Sequence, residues 1–180
     1  LAKAKAVSAK EASAMRTARE LMGRNAYVKN RWAYYLAAFL IPALLTFIAY
    51  ALFKVYPFGG RSVLCLDLNG QYVYFFESLR NAFWGDSSAL YSWTRNLSGG
   101  YMGIIGYYLA SPFTLIVMLL PKSFILESLM IMQITKVGAA GAAFCVYAQR
   151  SKNVPPLASV MLSTSYALMA YVAIQLIDPM

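Results

Sequence analysis

The stretch CLDLNGQYVYFF, residues 65–76, places Asp67 four residues ahead of Gln71, with Tyr72 next to it. On a helix, residues four apart lie one above the other on the same face. A carboxylate held there can accept a proton from an attacking hydroxyl, or hold a metal ion. The same residue is equally suited to cap a helix. Asp ahead of LNGQYVYFF would accept hydrogen bonds from free backbone N–H groups and suit the positive end of the helix dipole. The two uses are compatible. A second group lies in RNLSGGYMGIIGYYLASPF, residues 95–113. Arg95 and the pair Tyr107 and Tyr108 offer donors to a phosphate or a sugar, and the glycines between them allow close backbone approach. The same composition suits a flexible loop and a glycine-marked packing face. Third is Lys136, in the middle of an apolar run. A charge there is costly in a membrane, so Lys136 is expected to face the bundle interior or a polar cavity. Its partner would be a lipid-linked phosphate, Glu127, or a carboxylate elsewhere.

Several chemistries are excluded. The chain has no histidine, and its two cysteines, Cys65 and Cys145, lack metal-ligand spacing. That leaves no zinc site and no histidine-based triad within this sequence. Both thiols are expected to be buried bystanders. There is no GxGxxG after a strand and no Walker A motif.

The elements that must position these residues belong to a membrane protein. Of 180 residues, 60% are hydrophobic and only 13% charged, against roughly 45–50% and 25% in soluble domains. The net charge is +9, and residues 1–31 alone hold eight Lys and Arg against two Glu. An apolar span follows at once, so the tail is read by the positive-inside rule as cytoplasmic, not as a nucleic-acid arm. The expected order is a basic cytoplasmic tail at 1–31 and a transmembrane helix at 32–54. An outer loop at 55–124 follows, with an amphipathic helix at 67–84 and a juxtamembrane or re-entrant helix at 103–120. Transmembrane helices at 125–148 and 154–177 flank a short basic loop at 149–153, and 178–180 is a truncated end. Charge bias favours three full spans, because a full crossing at 103–120 would put Arg150 and Lys152 outside. GAAGAA, from Gly138, marks a small-residue face for tight helix packing. Residue 1 is Leu and the sequence stops at a helix end, so the expectation is the N-terminal part of a longer protein.

An N-terminal span, then DLNGQYVYFFESLR, a glycine-rich loop, GYYLASPFTLIVMLLP, a lysine-bearing span and SYALMAYV together resemble the start of the bacterial YfhO family. The resemblance runs from about residue 32 to the end. Its most specific parts are Asp67 with Gln71 and Tyr72, and Tyr107 and Tyr108 with Ser111, Pro112 and Phe113. It implies an all-α polytopic membrane protein of the GT-C-like class, with juxtamembrane helices in the first outer loop. It further implies a multi-pass protein of the bacterial cytoplasmic membrane, its N-terminus cytoplasmic. The implied activity is transfer of a sugar from a polyprenyl-phosphate donor to a cell-envelope polymer such as lipoteichoic acid, on the outer face. By matching position, Asp67 would be the catalytic carboxylate. Gln71, Tyr72, Arg95, Tyr107, Tyr108 and Lys136 are the residues expected to bind substrate. A divalent metal ion is a possible cofactor class, but a second acidic motif is represented at best by Asp178. The rival readings are a transporter or flippase of lipid-linked substrates and a non-catalytic membrane scaffold. No nucleic acid is expected as a partner.

Overall fold

A computed structural model of the protein describes residues 31–92 and 99–177. The first element, α1 (Arg31–Leu52), has 22 residues. At 1.5 Å per residue it reaches about 33 Å, enough to cross a hydrocarbon core. Leu36, Leu40, Leu44, Leu45 and Ile48 are exposed along it. An apolar face of that size suits lipid, not water. A second long apolar helix, α5 (Ile125–Ser151), has 27 residues and follows a 3₁₀ turn at Lys122–Phe124. These two helices are long and apolar enough to cross a membrane.

α1 and α5 pack antiparallel, and two residue choices explain how closely. Pro42 sits inside α1 and has no N–H to give, so the Ala38 carbonyl one turn earlier loses its helical partner. Gly141 of α5 packs onto that bare carbonyl. A Cβ at 141 would overlap the Ala38 oxygen and lie 3.0 Å from Pro42 Cγ. At the other end of the contact the Tyr50 hydroxyl donates to Gln133 Oε1 at 2.8 Å. The small-residue face read from GAAGAA is thus a helix–helix contact, made by Gly138 against Phe39 and Gly141 against Ala38.

The segment expected as one helix over 154–177 is two: α6 (Pro156–Ala167) and α7 (Ala170–Ile177). Neither alone has the length to cross a membrane. The break follows Ser163, Thr164 and Ser165, whose hydroxyls donate to the carbonyls of Ser159, Val160 and Met161. Such back-bonding competes with the helical ladder and bends helices. Here three consecutive instances precede the interruption at Leu168 and Met169.

Between α1 and α5 the chain builds a small layer on the α1 C-terminal side. A π-helical turn (Leu68–Tyr72) runs into α2 (Val73–Trp84). A two-residue antiparallel pair follows, β1 (Tyr91–Ser92) with β2 (Gly99–Gly100), in the register Tyr91 to Gly100 and Ser92 to Gly99. Then come α3 (Met102–Ile104), a second π-helical turn (Ile105–Leu109) and α4 (Thr114–Leu119). The stretch expected as one helix at 103–120 is therefore broken at Ala110, ahead of Pro112, where ψ is 54°. Leu68, Tyr72, Phe76, Leu79, Tyr101, Ile104, Leu109 and Val117 bury one core, which docks on Leu129 and Met132 of α5. The polar face of α2 holds the layer together. Arg80 Nε donates to the Leu120 carbonyl at 2.8 Å and Trp84 Nε1 to the Met118 carbonyl at 3.0 Å. These are carbonyls the short α4 leaves unsatisfied at its end. Glu77 pairs with Lys122 at 2.7 Å.

Candidate functional site

Asp67 stands where the loop from α1 enters the first π-helical turn. It is exposed, and it does not cap. Its backbone is helical, with φ −67° and ψ −24°, and its side chain makes no capping hydrogen bond. The first N–H groups of the turn go to backbone carbonyls instead: Leu68 to Cys65, and Asn69 and Gly70 to Leu66. The cap expected at Asp67 is thus replaced by the loop backbone, and the carboxylate is left for solvent or ligand. The residue before it, Leu66, has a φ of +48° with its side chain 74% exposed. A bulky residue in the left-handed region is strained and uncommon. Cys65, expected buried, is exposed, whereas Cys145 is buried.

Beside this turn a cavity of about 280 Å³ opens between α1, α5 and the α6–α7 break. Its walls include Thr46 and Tyr50 of α1, Gln133 and Val137 of α5, and Ala167 and Leu168 at the break. Val55, Ser62, Val63 and Cys65 close it on the loop side. Apart from Thr46, Ser62 and the bonded Tyr50–Gln133 pair, the lining is aliphatic or thiol. Such a slot takes an apolar chain more readily than a sugar. Cys65 lies at its edge, two residues from Asp67.

Gln71 is exposed one turn after Asp67, and Tyr72 is buried under it. The structure brings the two other expected tyrosines to this point. The Tyr72 ring meets Tyr108 at 5.3 Å between centroids, and Tyr108 meets Tyr107 at 4.5 Å. Phe75 completes the cluster, 5.7 Å from Tyr108. The Tyr72–Tyr108 and Tyr107–Tyr108 contacts are edge-on and the Phe75–Tyr108 contact is tilted, which together fix the orientation of the Tyr108 ring. Tyr107, 69% exposed, presents its ring outward. Thus Tyr72 and Tyr108 are the support, while Gln71 and Tyr107 are the groups a ligand could touch.

Lys136 is not joined to this cluster. It is half-buried on α5 and makes no ion pair or hydrogen bond among the described residues. Glu127, named as a possible partner, is nine residues away on the same helix, roughly 13 Å along its axis. Glu127 instead faces Tyr56, whose phenol it holds above its usual pKa through a hydrogen bond and its negative charge. Lys136 does lie one turn beyond Gln133 of the cavity wall. Arg95 and Asp178 lie outside the described residues. Among the described residues no three His, Cys, Asp or Glu side chains gather as metal ligands. Asp67, without a set of acidic or thiol ligands gathered beside it among the described residues, does not fit a bound divalent ion.

Two features went unread in the sequence: the cavity, whose signal was the STS run that breaks the last apolar segment, and a polar cleft beyond α2. Comparison with known proteins gives a family but no closer relative. No curated protein matches the chain, and no solved structure does. The family described as bacterial membrane protein YfhO matches over residues 37–180, a stretch that contains α1 from Ala37 onward, the Asp67 turn, the tyrosine cluster and the cavity. The chain belongs to the YfhO family of bacterial membrane proteins.

Proposed function

We propose that the protein is a membrane glycosyltransferase of the GT-C type and that this chain carries its catalytic carboxylate, without being active by itself. It would use a polyprenyl-phosphate sugar donor and a cell-envelope acceptor such as lipoteichoic acid. The reaction would lie on the outer face of the bacterial cytoplasmic membrane, with the N-terminus of this multi-pass protein in the cytoplasm. The observation that carries the reading is the pairing of an apolar slot with an uncommitted carboxylate two residues from its edge. The slot takes the first part of an isoprenoid chain from the bilayer. The carboxylate of Asp67 takes the proton of the acceptor hydroxyl as that oxygen bonds to the anomeric carbon. The bond from the anomeric carbon to the phosphate oxygen breaks, and polyprenyl phosphate leaves with the electron pair. Arg95 and Lys136 are assigned to the developing phosphate charge. Gln71 and Tyr107 hold sugar hydroxyls, backed by Tyr72 and Tyr108.

The test is sugar transfer from a polyprenyl-phosphate sugar by the whole protein in membranes, wild type against Asp67→Asn at matched expression. Base assistance contributes about 10²–10⁴-fold, so transfer should fall by at least ~10²-fold. Transfer by Asp67→Asn at the wild-type rate would remove Asp67 from the chemistry. A transporter or flippase of lipid-linked substrates is favoured by a different observation. Both the 102–119 and 156–177 segments are interrupted helices, the form in which transporters build their binding sites. Movement of the lipid-linked sugar across the membrane, without transfer and indifferent to Asp67→Asn, would establish that reading instead.

A further inference from the structure

A second cavity, about 430 Å³, lies beyond the other end of α2. It differs from the apolar slot in every respect. α2 ends at Gly85, where φ is +89°, a left-handed stop that glycine adopts without penalty. The chain reverses there, and the Asp86 N–H donates to the Asn81 carbonyl at 2.8 Å. That places Asp86, Ser87 and Ser88 alongside Ser78 and Asn81 of the last α2 turns. The strand pair supplies the opposite wall with Tyr91 and Ser92, and Tyr101 closes the floor. The local backbone needs are already met. Leu90 N–H uses Ser88 Oγ, Tyr101 N–H uses the Leu90 carbonyl, and the Tyr101 hydroxyl donates to the Phe75 carbonyl. The side chains of Ser78, Asn81, Asp86 and Ser87 make no hydrogen bond or ion pair among the described residues.

We infer that this cleft binds a neutral sugar unit. Every described lining residue carries a hydroxyl, amide or carboxylate, in a chain that is 60% hydrophobic. The volume falls within the roughly 300–1,000 Å³ of small-molecule sites. Among the described residues no lining side chain is aliphatic, so its apolar surface comes from tyrosine rings and short methylenes, not from a hydrocarbon wall. A polyhydroxylated ligand matches it, because each of its hydroxyls must find a partner on leaving water. Asp86 accepts from two vicinal hydroxyls, Asn81 both donates and accepts, and the serines do either. Among the described residues no lining side chain is basic and Asp86 is acidic, so these groups suit a neutral ligand better than a phosphate-bearing one. Ser78 is eleven residues along the helical path from Asp67, roughly 16 Å. The cleft is therefore separate from the Asp67 turn and does not depend on Asp67 being catalytic.

The experiment is saturation-transfer NMR on the protein in lipid nanodiscs, with methyl α-D-glucopyranoside and methyl β-D-galactopyranoside as probes. The expected result is saturation of ring protons of at least one glycoside by the wild type. Affinity should drop about tenfold or more in Asn81→Leu/Asp86→Ala, and stay unchanged in Asp67→Asn. Ser87→Trp, at an exposed position, plugs the mouth and should also abolish the signal, which covers the case where the double variant fails to fold. No saturation of either glycoside by the wild type would overturn the inference. So would a signal that survives both Asn81→Leu/Asp86→Ala and Ser87→Trp. A carboxylate site that takes a cation instead would show Ca²⁺ binding lost in Asp86→Ala with no glycoside signal, and that too would overturn it. Loss of sugar transfer in Asp67→Asn with intact glycoside binding would leave both readings standing.

Discussion

The approach of α5 to the bare carbonyl of α1 makes a graded prediction across three glycines. Gly141→Ala adds a Cβ that meets the Ala38 carbonyl oxygen and comes within 3.0 Å of Pro42 Cγ. Neither obstacle can rotate away, since one is backbone and the other a ring fused to it. α1 and α5 must separate, and a gap of about 0.5–1 Å already forfeits a quarter to a half of the dispersion attraction at each contact. Overpacking of this kind costs about 1–3 kcal/mol, and a rigid obstacle puts it at the upper end. Alanine returns roughly 1 kcal/mol of helix propensity. The net is a loss of about 2 kcal/mol, or roughly 30-fold in the unfolding equilibrium. Gly138→Ala meets the Phe39 ring at 2.9 Å, a side chain that can turn. Cost and propensity then nearly cancel. Gly103→Ala meets nothing within 4 Å and sits in α3, so it should stabilise by about 0.5–1 kcal/mol. The assay is SDS titration of the purified protein in mixed micelles, followed by far-UV circular dichroism. The expected order of stability is Gly103→Ala, then wild type with Gly138→Ala, then Gly141→Ala. A Gly141→Ala protein as stable as the wild type would refute the close α1–α5 contact, and with it the walls of the apolar slot.

Thr46 lines that slot from α1, so Thr46→Phe fills it; KM for a polyprenyl-phosphate sugar should rise several-fold with kcat little changed, and an unchanged KM would separate the slot from donor binding. Leu66→Gly relieves the left-handed backbone at φ +48° and should stabilise the fold by about 1 kcal/mol, read by the same SDS titration; a destabilised variant would mean the exposed leucine side chain outweighs the backbone strain. Glu127 raises the Tyr56 pKa, so the folded state prefers the neutral phenol. Any stability this gives is complete below the unfolded tyrosine pKa near 10 and is lost as pH climbs through the higher folded value. In an absorbance titration of tyrosinate, Glu127→Gln should move one late-titrating tyrosine to lower pH, and Tyr56→Phe should remove it.

What the sequence made legible depended on whether the signal was local. α1 was readable because 22 residues without a charge have one sensible use. The amphipathic steps from Leu68 to Phe83 gave the helix at 68–84, and Pro112 with its neighbouring serine warned that 103–120 would not run straight. The break at Leu168 was also local, in Ser163, Thr164 and Ser165, yet hydrophobicity summed over a window hides three hydroxyls inside an apolar run. The contact between Gly141 and the Ala38 carbonyl could not be read. It pairs residues about a hundred positions apart, and only the bare carbonyl above Pro42 explains why that glycine, among several, is the close one. The polar cleft was hidden for a similar reason. GDSS, residues 85–88, has the composition of a loop, and only the reversal at Gly85 puts those side chains alongside Ser78 and Asn81. Lys136 was singled out on cost alone, and cost says that a charge needs a partner, not which one.

Asp67 is the residue on which local physics and the fold disagree, and the disagreement is informative. A capping aspartate is worth about 1 kcal/mol to a helix, and the sequence around Asp67 is suited to that use. The fold forgoes it: the loop carbonyls of Cys65 and Leu66 take the N–H groups, and the carboxylate stays exposed. The same turn keeps Leu66 in a conformation that costs roughly another 1–2 kcal/mol. The two departures fall on adjacent residues at the edge of an apolar slot, and what the loop returns for them is the backbone capping by Cys65 and Leu66. Proteins break local rules of this kind chiefly where a site requires it. A scaffold in which Asp67 merely begins a helix would use the cap and would have no reason to hold Leu66 left-handed. The two readings part on one double variant: in a scaffold, Leu66→Gly/Asp67→Asn is simply the more stable protein, whereas in the enzyme proposed above that gain in stability comes with the loss of transfer.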